Sequence, residues 1–240
     1  MRYLDLTLPS PAENLALDEA LLDEAEAFGR PRETLRLWEP SVPMVVVGRS
    51  SRLDEEVHLE TCRQRKIAVL RRSSGGAAIV TGPGCLMYAV VLSYQLRPRL
   101  RMIDEAHRFV LGKLVEALRP LAPEIRLRGT SDLAQAQRKF SGNSVRCKRD
   151  HFLYHGTLLY QFPLELIDAC LAMPPREPDY RHGRNHHAFV ANLPVSAAAI
   201  RRALITAWEA NEPCPDWPRE STARLVAEKY SQRTWNEDRL

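Results

Sequence analysis

The sequence is short of several features that would settle its class at once. It has only five cysteines in 240 residues, and none forms a CxxC pair. Cys62, Cys85, Cys147, Cys170 and Cys214 are scattered and odd in number, which fits reduced thiols and excludes a zinc knuckle or a disulfide framework. No apolar run reaches the roughly 20 residues that a membrane helix needs. The longest, CLMYAVVL, starts at Cys85, and the N-terminus lacks a basic-then-apolar leader, so the expectation is a cytoplasmic protein with no membrane contact. Charge of one sign is scarce as well. Lysine and arginine number 34 against 30 acidic residues, a net charge of +4. That excess suits anionic ligands but falls short of a nucleic-acid footprint, so no nucleic-acid partner is expected. Glycine-rich stretches match neither the GK[ST] ending of a P-loop nor a dinucleotide fingerprint.

What is present reads as an ordinary globular chain, 45% apolar and 27% charged, without repeats, low-complexity tracts or a dividing linker. A single domain spanning 1–240 is the economical reading. SPAENLALDEALLDEAEAF predicts a first helix, with Ser10 as cap, Pro11 in the first turn and Glu13 completing a capping box. TLRLWEP and PMVVVGR predict strands joined as a hairpin, LDEEVHLETCRQRK a helix, and IAVLRR a short strand. DEAHRFVLGKLVEALRPL is the clearest helix. Strands follow at EIRLR, RKFSGNSVRCKR and HFLYHGTLLYQF, then a short helix at PLELIDACLAM. A long polar connection, PPREPDYRHGRNHHAFVANLP, precedes two final helices. Helices packed on a sheet of sequence-neighbouring strands are the expected architecture.

Several constellations can carry chemistry. In RRSSGGAAIVTGPG, Gly75 and Gly76 let backbone approach a ligand closely, and Arg72 can fork onto an oxyanion. A plain turn with solvated arginines explains the same residues. In GTSDLAQAQRKFSGNSVR, Lys139 stands beside Ser141, Gly142 and Asn143, where an inward ammonium would offset negative charge developing in acyl transfer. Asp132, a few residues earlier, can hold a cation or orient the lysine. The bland alternative is a solvated lysine on a hairpin. His155 and Gly156 open an apolar strand, and a lone histidine there is more often structural. In RHGRNHH, His182 and His186 are four apart, but Gly183 argues against the helix a metal pair would need. A structural thiol is the better reading of each cysteine.

Taken in order, NLALDEALL, LRLWEPSVPMVVVGRSS, RRSSGGAAIVTGPG, GTSDLAQAQRKFSGNSVR, YHGTLLY and LVAEKYSQRTW resemble the lipoate–protein ligase family, within the wider group of biotin/lipoate ligases and octanoyltransferases. The resemblance covers nearly the whole chain. It implies an α+β catalytic domain related to class II aminoacyl-tRNA synthetases, a mostly antiparallel sheet flanked by helices. It further implies ATP-dependent activation of lipoate to lipoyl-AMP, then transfer to a lysine of a lipoyl carrier domain. Carriers would be those of 2-oxoacid dehydrogenases or a glycine cleavage H-type protein. By the same resemblance, Lys139 contacts the reacting junction. Arg72, Ser74, Gly75, Gly76 and Ala77 form the adenylate loop, and Ser141 and Gly142 line the same strand. Asp132 marks the phosphate region and a place for Mg2+, and His155 and Gly156 lie beside the acyl pocket.

The chain departs from the ligase pattern at several points. Ala77 replaces a third glycine, no His-Asp-x-Gly-Asn element follows, and Ser131-Asp132 replaces Asn-Asp. The GPG stretch is more like the octanoyltransferases, which use no ATP and pass the acyl group through a cysteine thioester. No accessory domain follows RTWNEDRL, so a separate accessory subunit is an expectation. Three readings stand: a ligase, a transferase with Cys147 or Cys170 as nucleophile, and a non-catalytic binding homologue.

Overall fold

The computed structural model describes residues 1–237, so positions 238–240 of the single-domain reading lie outside the described residues. Strands are β1 (Arg2–Asp5), β2 (Thr34–Trp38), β3 (Met44–Val47), β4 (Ala68–Arg71), β5 (Ile79–Thr81), β6 (Cys85–Ser93), β7 (Ile125–Arg128), β8 (Asp132–Gln135), β9 (Arg138–Cys147), β10 (His151–Leu159) and β11 (Glu212–Pro213). Helices are α1 (Pro11–Ala27), α2 (Leu53–Glu56), α3 (Leu59–Gln64), α4 (Ile103–Leu118), α5 (Glu165–Cys170), α6 (His186–Phe189), α7 (Ala197–Ala207), α8 (Arg219–Leu225) and α9 (Arg233–Asn236).

The main sheet runs β11-β1-β2-β6-β10-β9-β8-β7. β1 is parallel to both neighbours, and every pairing from β2 to β7 is antiparallel. A smaller sheet has the order β4-β3-β5, β3 being parallel to β4 and antiparallel to β5. The architecture is α+β, as the sequence implied.

The first helix starts as its cap predicts. Ser10 Oγ accepts from Glu13 N at 3.2 Å, and Glu13 Oε2 accepts from Ser10 N at 2.8 Å. α1 then buries Leu15, Leu17, Leu21 and Leu22, together with three polar side chains, Asn14, Asp18 and Glu19. α4 and α7 cover part of the main sheet through a core that includes Val110, Leu114, Ile200, Leu204, Leu35 and Tyr88. A second core joins the small sheet to α5 through Val45, Val46, Val80, Ile167 and Phe189.

Four local expectations need correction. β2 and β3 do not form a hairpin, because β2 pairs with β1 and β6 while β3 pairs with β4 and β5. Both runs are buried at every position, so neither has the solvent face of a simple hairpin, and the chain crosses between sheets at 39–43. The helical stretch 53–66 breaks at Val57 and His58, where Val57 bridges Leu171 and His58 N donates to Cys170 O at 2.8 Å. β8 is a strand where none was expected; DLAQ has little strand propensity, and pairing to β7 and β9 imposes it. The long polar connection contains the short helix α6, capped by Asn185, whose Oδ1 accepts from Ala188 N.

Candidate functional site

A cleft lies between the small sheet and the β8–β10 region of the main sheet, and it has two chambers. One, of about 140 Å3, is walled by Ile79, Val80, Phe140, Leu159, Ile167 and Val190. The other, of about 350 Å3, runs past Leu15, Val46 and Met87 to Asp18 and His155. Ala77, Ala78, Ile79, Lys139, Gly142, Arg176 and Pro178 line both, so the chambers meet at the lysine.

A bulge puts Lys139 there. β8 pairs Leu133 with Ser141 and Ala134 with Lys139, leaving Phe140 as the extra residue. Lys139 through Gly142 consequently all reach the wall of the smaller chamber. Lys139 Nζ sits 2.7 Å from Asp132 Oδ1, and Tyr180 donates its hydroxyl to Asp132 Oδ2 at 2.9 Å. Burial, reinforced by Asp132, pushes the Tyr180 phenol up, so it remains a donor. Gly142 gives the ammonium its room: a Cβ there would stand 3.0 Å from both Cε and Nζ of Lys139. Ser141 is buried beside it, its hydroxyl bonded to the Asn143 side chain.

Asp132 therefore orients the lysine, the second of its two expected roles. Among the described residues no group of three or more His, Cys, Asp or Glu gathers as a metal site, and both Asp132 oxygens are engaged. A hard divalent cation needs about six oxygen ligands, so these residues do not make a resident Mg2+ site of their own.

The glycine loop, residues 72–78, has its carbonyls tied down. Arg72 donates to Val46 O at 3.1 Å, Gly75 O at 2.5 Å, Ala77 O at 3.0 Å and Ser74 Oγ at 3.2 Å. Ser144 Oγ also donates to Gly75 O, Ser51 Oγ to Gly76 O, and Arg49 N to Ser74 O. Gly76 takes a φ of +88°, and the loop passes so close to Gly48 that a Cβ there would lie 1.9 Å from Gly76 O. Among the described residues, the backbone N–H groups of Gly75, Gly76 and Ala77 meet no acceptor. The loop thus turns its acceptors inward and keeps donors in reserve, an arrangement suited to an anion. Arg72, expected to fork onto that anion, instead braces the loop. Burial pulls its guanidinium down to about 10.

His155 belongs to a buried chain of polar groups. Its Nε2 is 2.6 Å from Ser74 Oγ and its Nδ1 3.3 Å from Asp18 Oδ2, while Arg36 holds Asp18 Oδ1 at 2.6 Å. Arg36 is fully buried and also donates to Leu6 O, Asn14 O and Asn14 Oδ1. Gly156 lines the larger chamber, where a Cβ would strike Asn143 Oδ1 at 1.9 Å. Sequence reasoning missed Asp18, Arg36, Tyr180 and Glu56, whose Oε2 accepts from Ala78 N at 2.6 Å. For Asp18 a signal existed, since it follows Asn14 by one turn on the apolar face of α1.

None of the cysteines lines either chamber. Cys170, one candidate nucleophile, is buried in α5 with its thiol pushed up by burial, and Cys147, the other, is exposed at the end of β9. Burial pushes Cys85 up to about 12. No helix among the described residues is long and apolar enough to cross a membrane.

The model of the lipoyl protein ligase A/B catalytic domain matches residues 10–207. A putative lipoate-protein ligase A of Schizosaccharomyces pombe is 30% identical over 69% of this chain and 42% of its own length. One from Aeropyrum pernix is 33% identical over 65% of this chain and 56% of its own. The chain thus spans about half the length of these ligases. The octanoyltransferase LipM of Carboxydothermus hydrogenoformans is 27% identical over 98% of the chain and 97% of its own length. Among solved structures, a bi-partite lipoate protein ligase of Thermoplasma acidophilum, studied with its E2 lipoyl domain, superposes with a TM-score of 0.84 at 25% identity, covering 100% of this chain and 96% of that one. A lipoate-protein ligase A bound with ATP gives 0.76 at 25% identity, covering 100% and 99%. With two thirds and more of its length inside one family model, and that family's fold around a lysine-centred cleft, the chain belongs to the lipoyl protein ligase A/B catalytic domain family.

Proposed function

We propose that the protein is the catalytic part of a lipoate–protein ligase, joining lipoate to AMP and passing the lipoyl group to a carrier lysine. The observation that carries this reading is Lys139 at the junction of two chambers, facing a loop with unpartnered amides. In the first step a carboxylate oxygen of lipoate attacks the α-phosphorus of ATP and pyrophosphate leaves. In the second the carrier's ε-amine attacks the acyl carbon, forming the C–N bond while the C–O bond to AMP breaks. Both steps develop negative charge beside one phosphorus, where an oriented ammonium and fixed N–H dipoles stabilise the transition state without reorganising. Lys139, Ser141 and Gly142 form one side of that site; Ser74, Gly75, Gly76 and Ala77 form the other, braced by Arg72. Asp132 and Tyr180 keep Lys139 aimed. His155 and Gly156 bound the chamber assigned to the acyl chain. Mg2+ would accompany the nucleotide's own phosphates.

The carrier is a lipoyl domain of a 2-oxoacid dehydrogenase or an H-type protein, and the likeness to a ligase described as bi-partite supports a separate accessory polypeptide. The free cysteines suit a cytoplasmic setting. The full-length match to LipM favours a second reading, octanoyl transfer without ATP. The cysteine positions weigh against it, because no thiol lines the cleft. Mass spectra of a carrier domain incubated with the protein and lipoate decide between them. The ligase reading expects a lipoyl adduct, or free lipoyl-AMP, only when ATP is present. Carrier acylation from an octanoyl thioester without ATP, or neither product with ATP, would sink it.

A further inference from the structure

Two of the five thiols face each other where α3 packs on α5, outside the cleft. α3 has one buried side chain, Cys62, while Arg63, Gln64, Arg65 and Lys66 after it are exposed. α5 buries Ile167 and Cys170. The backbone fixes how the two helices meet. His58 N donates to Cys170 O at 2.8 Å, Cys62 N donates to His58 O at 3.0 Å, and Val57 bridges Leu171. Cys62 thereby meets Cys170 thiol to thiol, its S–H donating to the Cys170 sulfur. Burial pushes the Cys62 thiol up to about 12, and Cys170 reinforces the rise. Burial raises Cys170 as well, but the Cys62 thiol and Arg65 both oppose that shift. Protonation therefore keeps the pair reduced at rest, and Cys170 is the readier nucleophile. The cover over the pair is thin. α3 is six residues long without a side-chain cap, and so short a surface helix opens locally at little cost.

We propose that Cys62 and Cys170 form a reversible redox modification site, closing to an intramolecular disulfide when a hydroperoxide reaches them. The Cys170 sulfur attacks a peroxide oxygen, the O–O bond breaks, and the thiol proton leaves with the departing oxygen as water. The Cys62 sulfur then attacks the resulting sulfenic acid, forming the S–S bond while the S–O bond breaks and a second water leaves. Two thiols are oxidised, and hydrogen peroxide is reduced to two waters. The bond ties α3 to α5 directly behind Ile167 and Leu171, wall residues of the smaller chamber.

The test uses the folded full chain carrying Cys147→Ser, which removes the exposed thiol. After hydrogen peroxide, remaining thiols are alkylated and the chain is peptide-mapped without reductant. The expected product is a peptide pair linked through Cys62 and Cys170, which dithiothreitol separates. The urea midpoint of the oxidised chain should rise by roughly 1 M, because the cross-link restricts the unfolded chain between 62 and 170. Cys62→Ala and Cys170→Ala should each erase the link and the peroxide-dependent rise, read as the difference with and without peroxide in the same variant. Alkylated Cys62 and Cys170 after peroxide treatment would overturn the assignment and leave the ligase reading standing. A link that forms only in urea would overturn it too, as would a linked chain whose midpoint does not rise, since the native helices would then not accommodate the bond.

Discussion

At the residue scale the site depends on how one ammonium is held. Lys139→Ala should slow lipoyl-AMP formation at least tenfold, about 1.4 kcal/mol, because a charge-assisted contact at the reacting centre disappears. Single-turnover accumulation of lipoyl-AMP reads it directly, and an unchanged rate would make the lysine surface decoration. Gly142→Ala tests the same geometry without touching charge. Its methyl would press on Cε and Nζ of Lys139 from 3.0 Å, shifting the ammonium off Asp132. The expected result is a fall of roughly tenfold in the same rate with thermal stability nearly kept, since misplaced catalytic groups cost rate before they cost folding. Lys139, Asp132 and the glycines were legible in the sequence because their motifs are local. Tyr180, from a stretch read as irregular connection, was not, since nothing in PDYRHG says that its hydroxyl returns to a carboxylate 48 residues away.

At the element scale, α1 is tied to the main sheet by an ion pair that sequence patterning hides. Arg36 reads as one polar position in a strand, yet it is fully buried and answered by Asp18 on the helix. Burial pulls the guanidinium's pKa down and the Asp18 charge opposes that shift. Asp18→Asn strands a buried cation, and loss of one partner from such a pair costs about 3–5 kcal/mol. The urea midpoint should fall accordingly, while Asp18→Asn paired with Arg36→Leu should recover much of the loss. α4 supplies a pH signature. His107 is buried on its inner face, with Nδ1 2.7 Å from the Tyr154 hydroxyl, and burial holds its pKa below the ordinary value. The unfolded imidazole takes a proton below about pH 6.5 and the folded one only at lower pH. Its contribution is complete above that pH and drains away as pH drops through the folded value. The urea midpoint should decline below pH 6.5, and His107→Gln should flatten that decline. The helices α1, α4 and α7 were legible from capping and periodicity, whereas the β2–β3 hairpin was misread because adjacency in sequence carries no information about which sheet a fully buried strand joins.

At the scale of the whole molecule, the glycine loop is secured by the far end of the chain, outside residues 10–207 that match the family model. After α8 the chain makes one π-type turn, Val226–Tyr230, where Lys229 and Tyr230 both hold Glu19 of α1. α9 then closes on Arg71, the last residue of β4 and the one that leads into the loop. Asn236 Oδ1 accepts from Arg71 N at 2.9 Å, Trp235 O accepts from Arg71 Nε at 3.0 Å, and Trp235 Nε1 donates to Arg71 O at 2.8 Å. Arg71 Nη1 in turn reaches Gly48 O and Ser51 O, both at 2.8 Å, so one buried guanidinium joins the C-terminal helix, the 48–51 turn and the loop. The sequence shows RR only as a positive dipeptide. That its first arginine is a structural clamp and its second a loop brace follows from which backbone carbonyls surround each. Asn236→Ala removes an acceptor from a buried N–H, a deletion worth about 1–3 kcal/mol. It should lower the unfolding midpoint by that amount and, because the loop is anchored there, raise KM for ATP more than KM for lipoate. Unchanged KM values with a lower kcat would mean that the clasp stabilises the fold without setting the loop, since a general loss of folded protein scales down kcat alone.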